Sequence, residues 1–189
     1  MIQSRVGAAM ISRRFFLTGS TLVMLMAKPN NLLGQTLIDL WESSVSQRFF
    51  IDISARCGNP GHTFVRAGVE LDNGLVWYQA IFGLYPAGGG LEAVKSVVQN
   101  VPGQVTSKWD DIARPDVSFE RTVERALFDR VMGLYREWLS DAPQYSLLGN
   151  NCSVFASEVA KLVGMTLPSA DPSSTLPCSY VASLVTANR

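Results

Sequence analysis

Stretches rich in apolar and aromatic residues, interrupted by polar turn-forming segments, predict a series of β-strands over the first two thirds of the chain. The predicted strands cover residues 48–56, 62–69, 75–85, 101–109 and 117–123. The segments 57–61 (CGNPG) and 72–74 (DNG) separate the first three strands, and both compositions are typical of tight turns. Strands joined by such short turns favour a hairpin-rich, antiparallel sheet.

Two helices are predicted by apolar residues that recur at three- and four-residue spacing. The first covers residues 124–139, and the second covers 152–163, with Asn151 as a suitable N-cap and Gly164 as a suitable stop. Shorter helices are predicted at 37–45 and 91–99. The fold class expected from this mixture is α+β, with an antiparallel sheet packed against a few helices.

Size and charge limit the classes of function that fit the chain. With 189 residues, of which 47% are hydrophobic, it can form one ordinary domain with its own core. Lysine and arginine number 16, and so do aspartate and glutamate, giving a formal net charge of zero. This balance excludes a typical nucleic-acid-binding protein, which needs surplus cations against phosphates.

The chain starts with a segment that resembles a twin-arginine export signal. Ser12, Arg13 and Arg14 precede an apolar run that continues to Ala27, which is shorter than the roughly 20 residues needed to span a bilayer. The expected division is therefore a signal and linker at 1–35 and one domain at 36–189. This resemblance implies an exported protein with transient membrane contact. An uncleaved membrane anchor and a core helix with a chance arginine pair stay open as alternatives.

The cysteines argue against a metal or cofactor site. Cys57, Cys152 and Cys178 are widely spread, and His62 is the only histidine, so no ligand cluster of the zinc type is present in the sequence. No phosphate-binding loop motif occurs either. After export, Cys57 and Cys178 could form a disulfide, which would leave one cysteine as a thiol.

Cys152 is the candidate nucleophile because it falls at the first position of a predicted helix. Backbone N–H groups and the helix dipole favour a thiolate at that place, and the same groups can stabilise an oxyanion. A thiol nucleophile also needs a base, and His62, after a glycine-rich turn, is the one imidazole available. Taken alone, each residue has a simpler explanation, since isolated cysteines are commonly small buried hydrophobes.

Three motifs together resemble the circularly permuted papain-like proteins, relatives of the NlpC/P60 superfamily of cell-wall amidases. They are GHTFV at 61–65, FGLYP at 82–86 and YSLLGNNCSVF at 145–155. The resemblance spans about 49–163. It implies a papain-like fold in which Cys152 is the nucleophile and His62 is the general base.

The third member of the expected site is less defined. Gln79, on the strand predicted to lie beside that of His62, is the first choice for orienting the imidazole, and Glu70 is a further possibility. Asn150, Asn151 and Tyr145 are candidates for substrate or oxyanion contacts.

The function expected from these features is an exported cysteine hydrolase that cleaves amide bonds without a cofactor. Peptidoglycan peptides are the substrate that the resemblance and the export signal suggest. Two alternatives stay open: an acyltransferase or thioesterase of the same fold, and a binding module without catalytic activity.

Overall fold

A computed structural model of the protein describes residues 47–88, 90–107 and 114–189. The segment predicted as an export signal and the helix predicted at 37–45 lie outside the described residues, as does the end of the strand predicted at 101–109.

The described residues form five strands and four helices. The strands are β1 (Gln47–Arg56), β2 (His62–Leu71), β3 (Val76–Pro86), β4 (Gly103–Thr106) and β5 (Val117–Val123). The helices are α1 (Gly90–Lys95), α2 (Arg125–Ser140), α3 (Cys152–Leu162) and α4 (Pro177–Ala187).

All five strands belong to one antiparallel sheet with the order β4-β3-β2-β1-β5. The predicted turn at 72–74 joins β2 to β3, where Gly74 takes a φ of 77° that favours glycine and its N–H donates to the Leu71 carbonyl at 2.8 Å. The prediction of an α+β fold with an antiparallel sheet is therefore confirmed.

One face of the sheet forms the main core with the helices. Side chains alternate along each strand, so every second residue of β1, β2 and β3 faces the same way. Phe82 of β3 shows the packing, because its ring contacts Tyr135 of α2 at 4.5 Å and Phe155 of α3 at 6.1 Å between centroids. The face that packs against the helices carries Ile51, Ile53, Val65, Ala67, Phe82 and Leu84.

The opposite face of the sheet contains a buried ion pair. Asp52 of β1 is 2% exposed and lies directly across from Arg66 of β2, whose Nε donates to Oδ2 at 3.1 Å. Burial raises the pKa of the Asp52 carboxyl, and the charge and hydrogen bonds of Arg66 act in the opposite direction. Asp52 depends on this cation because a buried carboxylate without a partner is costly.

Replacing Arg66 with methionine is expected to lower the free energy of unfolding by about 3 kcal/mol at pH 7. The loss should shrink below pH 4, where Asp52 is protonated in both folded and unfolded protein. Urea titrations at the two pH values measure this difference. Arg48→Met is the matched control, because Arg48 pairs with Glu70 in a more exposed position and should cost less than about 1 kcal/mol. Equal losses for both variants would contradict the argument.

Three elements differ from the sequence prediction. α1 ends at Lys95 instead of continuing to residue 99, because the following residues form turns. β4 is shorter than its predicted strand. α4 was not predicted, although Pro177 at its first turn and the buried residues Tyr180, Val181 and Leu184 follow a helical spacing. α4 packs against β5 and β1, so its formation depends on tertiary contacts.

A disulfide connects the loop between β1 and β2 to α4. Cys57 and Cys178 are bonded, with their Cα atoms 5.2 Å apart, which confirms that these two cysteines meet. Every helix in the described ranges is too short or too polar to cross a membrane.

Candidate thiol site at the start of α3

Asn151 caps the helix that carries the candidate nucleophile. Its backbone is extended, and its Oδ1 accepts hydrogen bonds from the N–H groups of Ser153 at 2.9 Å and Val154 at 3.1 Å. The predicted N-cap is thereby confirmed. These two N–H groups are engaged by the cap, so α3 offers them to Asn151 and not to a substrate.

The other end of the Asn151 amide connects two loops to α3. Its Nδ2 donates to the Leu147 carbonyl and to the Ser173 carbonyl, both at 3.0 Å. Both the oxygen and the nitrogen of the Asn151 side chain are thus hydrogen-bonded to the protein. Asn151 therefore holds the segments around Cys152 in place. Its side-chain hydrogen bonds are all made to the protein, which leaves none for the expected contact with a substrate.

Cys152 contacts the beginning of β2. Cys152 is 5% exposed, and its Sγ accepts a hydrogen bond from the backbone N–H of Thr63 at 3.5 Å, across 89 positions of sequence. The Thr63 and Ser153 hydroxyl groups also bond to each other at 2.9 Å. That Thr63 nitrogen belongs to the peptide group joining it to His62. The fold thus brings the backbone of His62 next to the thiol.

The protonation state of Cys152 differs from the sequence expectation. Burial raises the pKa of the Cys152 thiol, and this outweighs the opposing hydrogen bonds from the Thr63 N–H, the Ser153 side chain and the N–H groups at the helix start. The predicted lowering of this pKa is wrong because the helix terminus is covered by the protein. A raised pKa favours the neutral thiol over the thiolate at neutral pH.

Alkylation of Cys152 by iodoacetamide is expected to have its pH midpoint above about 8.5, the ordinary value for a cysteine. Only the thiolate reacts, and a raised pKa delays its appearance as the pH increases. The rate of mass increase, measured from pH 6 to 10, gives the midpoint. The same chain unfolded in urea with its disulfide intact is the control, since Cys152 is then the one reactive thiol and should titrate at the ordinary value. Coinciding midpoints would contradict the raised pKa.

The His62 ring lies on the other face of β2 from the Thr63 side chain, as strand alternation requires. It stacks on Tyr85 of β3 with 4.0 Å between centroids and lies parallel to Phe64 at 6.2 Å. Gly83 makes room for it, because a Cβ at that position would lie 2.5 Å from the His62 Nε2.

Neither candidate for the third member lies beside His62. Gln79 occupies an irregularity of β3 next to Ala67 and Gly68, five to six positions along β2 from His62, and its side chain is exposed. Glu70 is farther along β2 and pairs with Arg48, whose Nε lies 2.6 Å from Oε2. At about 3.3 Å per residue both are too distant to orient the imidazole. The assignment of Gln79 is thus corrected by the strand register.

Tyr145 and Asn150 have different surroundings. Tyr145 is buried and joins Val101 through a pair of backbone hydrogen bonds. Burial raises the pKa of its hydroxyl. Tyr145 lines the same cavity as Cys152. The Asn150 Nδ2 donates to the Gln144 carbonyl at 2.6 Å, which fixes the loop before α3. Tyr145 therefore remains a candidate contact for a substrate.

A cavity of about 190 Å³ opens at Cys152. Its walls are formed by Pro60 and Gly61, by the loop containing Tyr145, Leu147 and Leu148, and by residues 173–177 before and at the start of α4. The wall at 173–177 was not predicted as part of the site. Its sequence, SSTLP, carries no catalytic motif, and only the hydrogen bond from Asn151 to the Ser173 carbonyl shows its role.

Asp116 lies close to the disulfide, within 4.8 Å of both sulfur atoms, and its Oδ2 accepts a hydrogen bond from the Cys57 N–H at 2.8 Å. Carboxylate and thiolate groups in such a cluster can bind metal ions. Here the two sulfurs are bonded to each other and are not available as thiolate ligands.

Comparison of the chain with protein-family models, curated proteins and solved structures gave no match. What the protein does is therefore inferred from the residues around Cys152 and from their contacts.

Proposed function

We propose that this chain is a cysteine hydrolase of the papain-like type, related to the permuted NlpC/P60 proteins, that cleaves amide or similar acyl bonds. One observation supports this most directly. The free thiol of Cys152 lies at the start of α3, at a cavity, and 3.5 Å from the peptide nitrogen that follows His62. The start of α3 and the strand end that carries His62 thus meet at one sulfur, and the proposed reaction further requires the His62 imidazole to reach that sulfur.

The neutral resting thiol determines how the reaction would proceed. His62 takes the proton of Cys152 as its Sγ forms a bond to the carbonyl carbon of the substrate. The imidazolium then gives this proton to the leaving amine, and the C–N bond breaks to leave a thioester on Cys152. In the second half, His62 removes a proton from water, the hydroxide attacks the thioester, and the sulfur leaves with the proton returned by His62.

Backbone N–H groups provide the electrostatic stabilisation in this proposal. The backbone N–H groups of Thr63, Cys152 and Ser153 favour negative charge on the sulfur, and Asn151 also engages that of Ser153. After attack, negative charge moves from the sulfur to the substrate oxygen. Backbone N–H groups directed at this oxygen can then stabilise the oxyanion.

Trapping of the thioester tests the proposal. The protein is mixed with p-nitrophenyl acetate, quenched in acid and analysed by mass spectrometry after proteolysis. An acetyl group on the Cys152 peptide, removable by neutral hydroxylamine, is the expected result. Acetylation only of lysine or serine residues, with Cys152 unmodified, would contradict a nucleophilic role for Cys152.

A binding module without catalytic activity is the second candidate. The raised pKa of the Cys152 thiol favours it, as does the stacking of the His62 ring on Tyr85, on the face of β2 away from the Thr63 side chain. If the protein is a binding module, Cys152 should remain unmodified by p-nitrophenyl acetate. A ligand that occupies the cavity should still slow the alkylation of Cys152 by iodoacetamide.

We also propose that the protein acts outside the cytoplasm, following export by the twin-arginine route. The Arg13-Arg14 motif supports this, and the Cys57–Cys178 disulfide is compatible with an oxidising compartment. Changing both arginines to lysine is expected to retain the protein in the cytoplasmic fraction. Export of that variant at the normal level would contradict this route.

A further inference from the structure

We infer that the cavity at Cys152 selects a small, uncharged and mainly apolar acyl group, an inference that rests on the proposed hydrolase function. The walls expose carbon-rich side chains on both sides of the thiol. These are Leu147 and Leu148 on one loop, Leu176 and Pro177 before and at the start of α4, and Pro60 on the loop after β1. Within the described part of the chain, no residue that lines this cavity carries a charge.

The polar groups of the cavity are largely engaged with the protein itself. The Asn151 amide makes its four hydrogen bonds to the backbone. The Ser153 hydroxyl bonds to Thr63, and the hydroxyl groups of Ser173 and Ser174 bond to Asp171 at 2.8 and 3.3 Å. A ligand therefore meets carbon surface in most directions and finds few polar partners.

This lining disfavours charged substrates. A carboxylate or ammonium group that enters the cavity loses hydration without gaining an opposite charge, which is strongly unfavourable. Peptidoglycan stem peptides carry such groups, so the fragment that enters the cavity is expected to be of a different kind. The volume also limits size: a cavity of about 150 Å³ accepts benzene, so about 190 Å³ suits roughly six to eight heavy atoms.

Hydrolysis rates for a series of p-nitrophenyl esters show whether the cavity prefers apolar, uncharged acyl groups to charged ones. We expect kcat/KM for the hexanoate to exceed that for the acetate by roughly 10- to 100-fold, because four more methylene groups enter apolar surroundings. The hemisuccinate, with a carboxylate at similar length, should react at least 10-fold more slowly than its neutral methyl ester. Comparable rates for the charged and neutral members would overturn the inference while leaving a Cys152-dependent hydrolase in place.

Substitutions in the walls provide a second, matched test. Leu148 and Leu176 are 69% and 55% exposed, so lysine at either position is tolerated by the fold. Leu148→Lys or Leu176→Lys should shift the preference toward the hemisuccinate by about 10-fold. Leu139→Lys is the control, because Leu139 on α2 is 53% exposed and does not line the cavity. An equal shift in the control would contradict selection by these walls.

A binding measurement keeps this inference testable if the chain does not turn over any ester. Hexanamide is expected to slow the alkylation of Cys152 by iodoacetamide, and succinamate at the same concentration is expected to have no effect. Such a result with no ester hydrolysis would support the apolar site and contradict the hydrolase. Equal protection by the two compounds would overturn the apolar site itself.

Discussion

Cys152→Ala is expected to lower kcat for the best ester or amide substrate by at least 10³-fold. The sulfur is the atom that attacks the carbonyl in the proposed reaction, and removal of a nucleophile leaves only what binding and backbone donors contribute. Steady-state rates of the purified variant and the original chain measure the loss. The substitution removes a buried sulfur next to Thr63, so urea titration must show that the variant is folded.

His62→Ala should cause a loss of similar size, with a different signature. A histidine base produces an acid limb in the pH profile of kcat, and this limb should disappear in the variant. Ser174→Ala is the control on the cavity wall, because its hydroxyl bonds to Asp171 at 3.3 Å and takes no part in the proposed reaction. Full activity of Cys152→Ala, or an unchanged acid limb in His62→Ala, would contradict the assigned roles.

Loss of the Cys57–Cys178 disulfide is expected to lower the free energy of unfolding by about 5 kcal/mol. The bond joins residues 121 positions apart and so removes much of the conformational entropy of the unfolded chain. Urea titration of the protein with and without reductant measures this loss. The variant with both cysteines changed to serine is the control, since reductant should not change its stability further.

The same bond also connects two walls of the cavity at Cys152. Cys57 precedes Pro60 and Gly61, and Cys178 follows the wall at 173–177 directly. Without the bond these walls are less constrained, so alkylation of Cys152 in the double serine variant should be several-fold faster than in the oxidised chain. An unchanged rate in a folded variant would show that the walls keep their positions without the disulfide.

Much of the fold could be predicted because its signals are local. Apolar-rich stretches bounded by turn formers predicted β1, β2 and β5 closely, and the DNG turn at 72–74 predicted the hairpin between β2 and β3. α2 and α3 followed from apolar spacing. The predicted ranges of α1 and β4 were too long. The ends of such short elements depend on contacts with distant residues, which a local stretch of sequence does not contain.

The sequence by itself determined that Cys152 starts a helix capped by Asn151, because capping depends only on residues a few positions apart. It also limited the candidates for the proposed nucleophile and base, since the chain has one histidine and one cysteine outside the disulfide. The structure brings Cys152 to the start of β2, the strand that begins with His62.

Only the tertiary structure decided the environment of these residues. Burial, which raises the pKa of Cys152, arises from β2 and the loops packed over the helix start. The strand register placed Gln79 far from His62 and put Gly83 beside the imidazole. The wall at 173–177 reaches the thiol only because Asn151 and the disulfide connect distant segments. Desolvation and register are long-range properties, so local patterns of residues do not contain them.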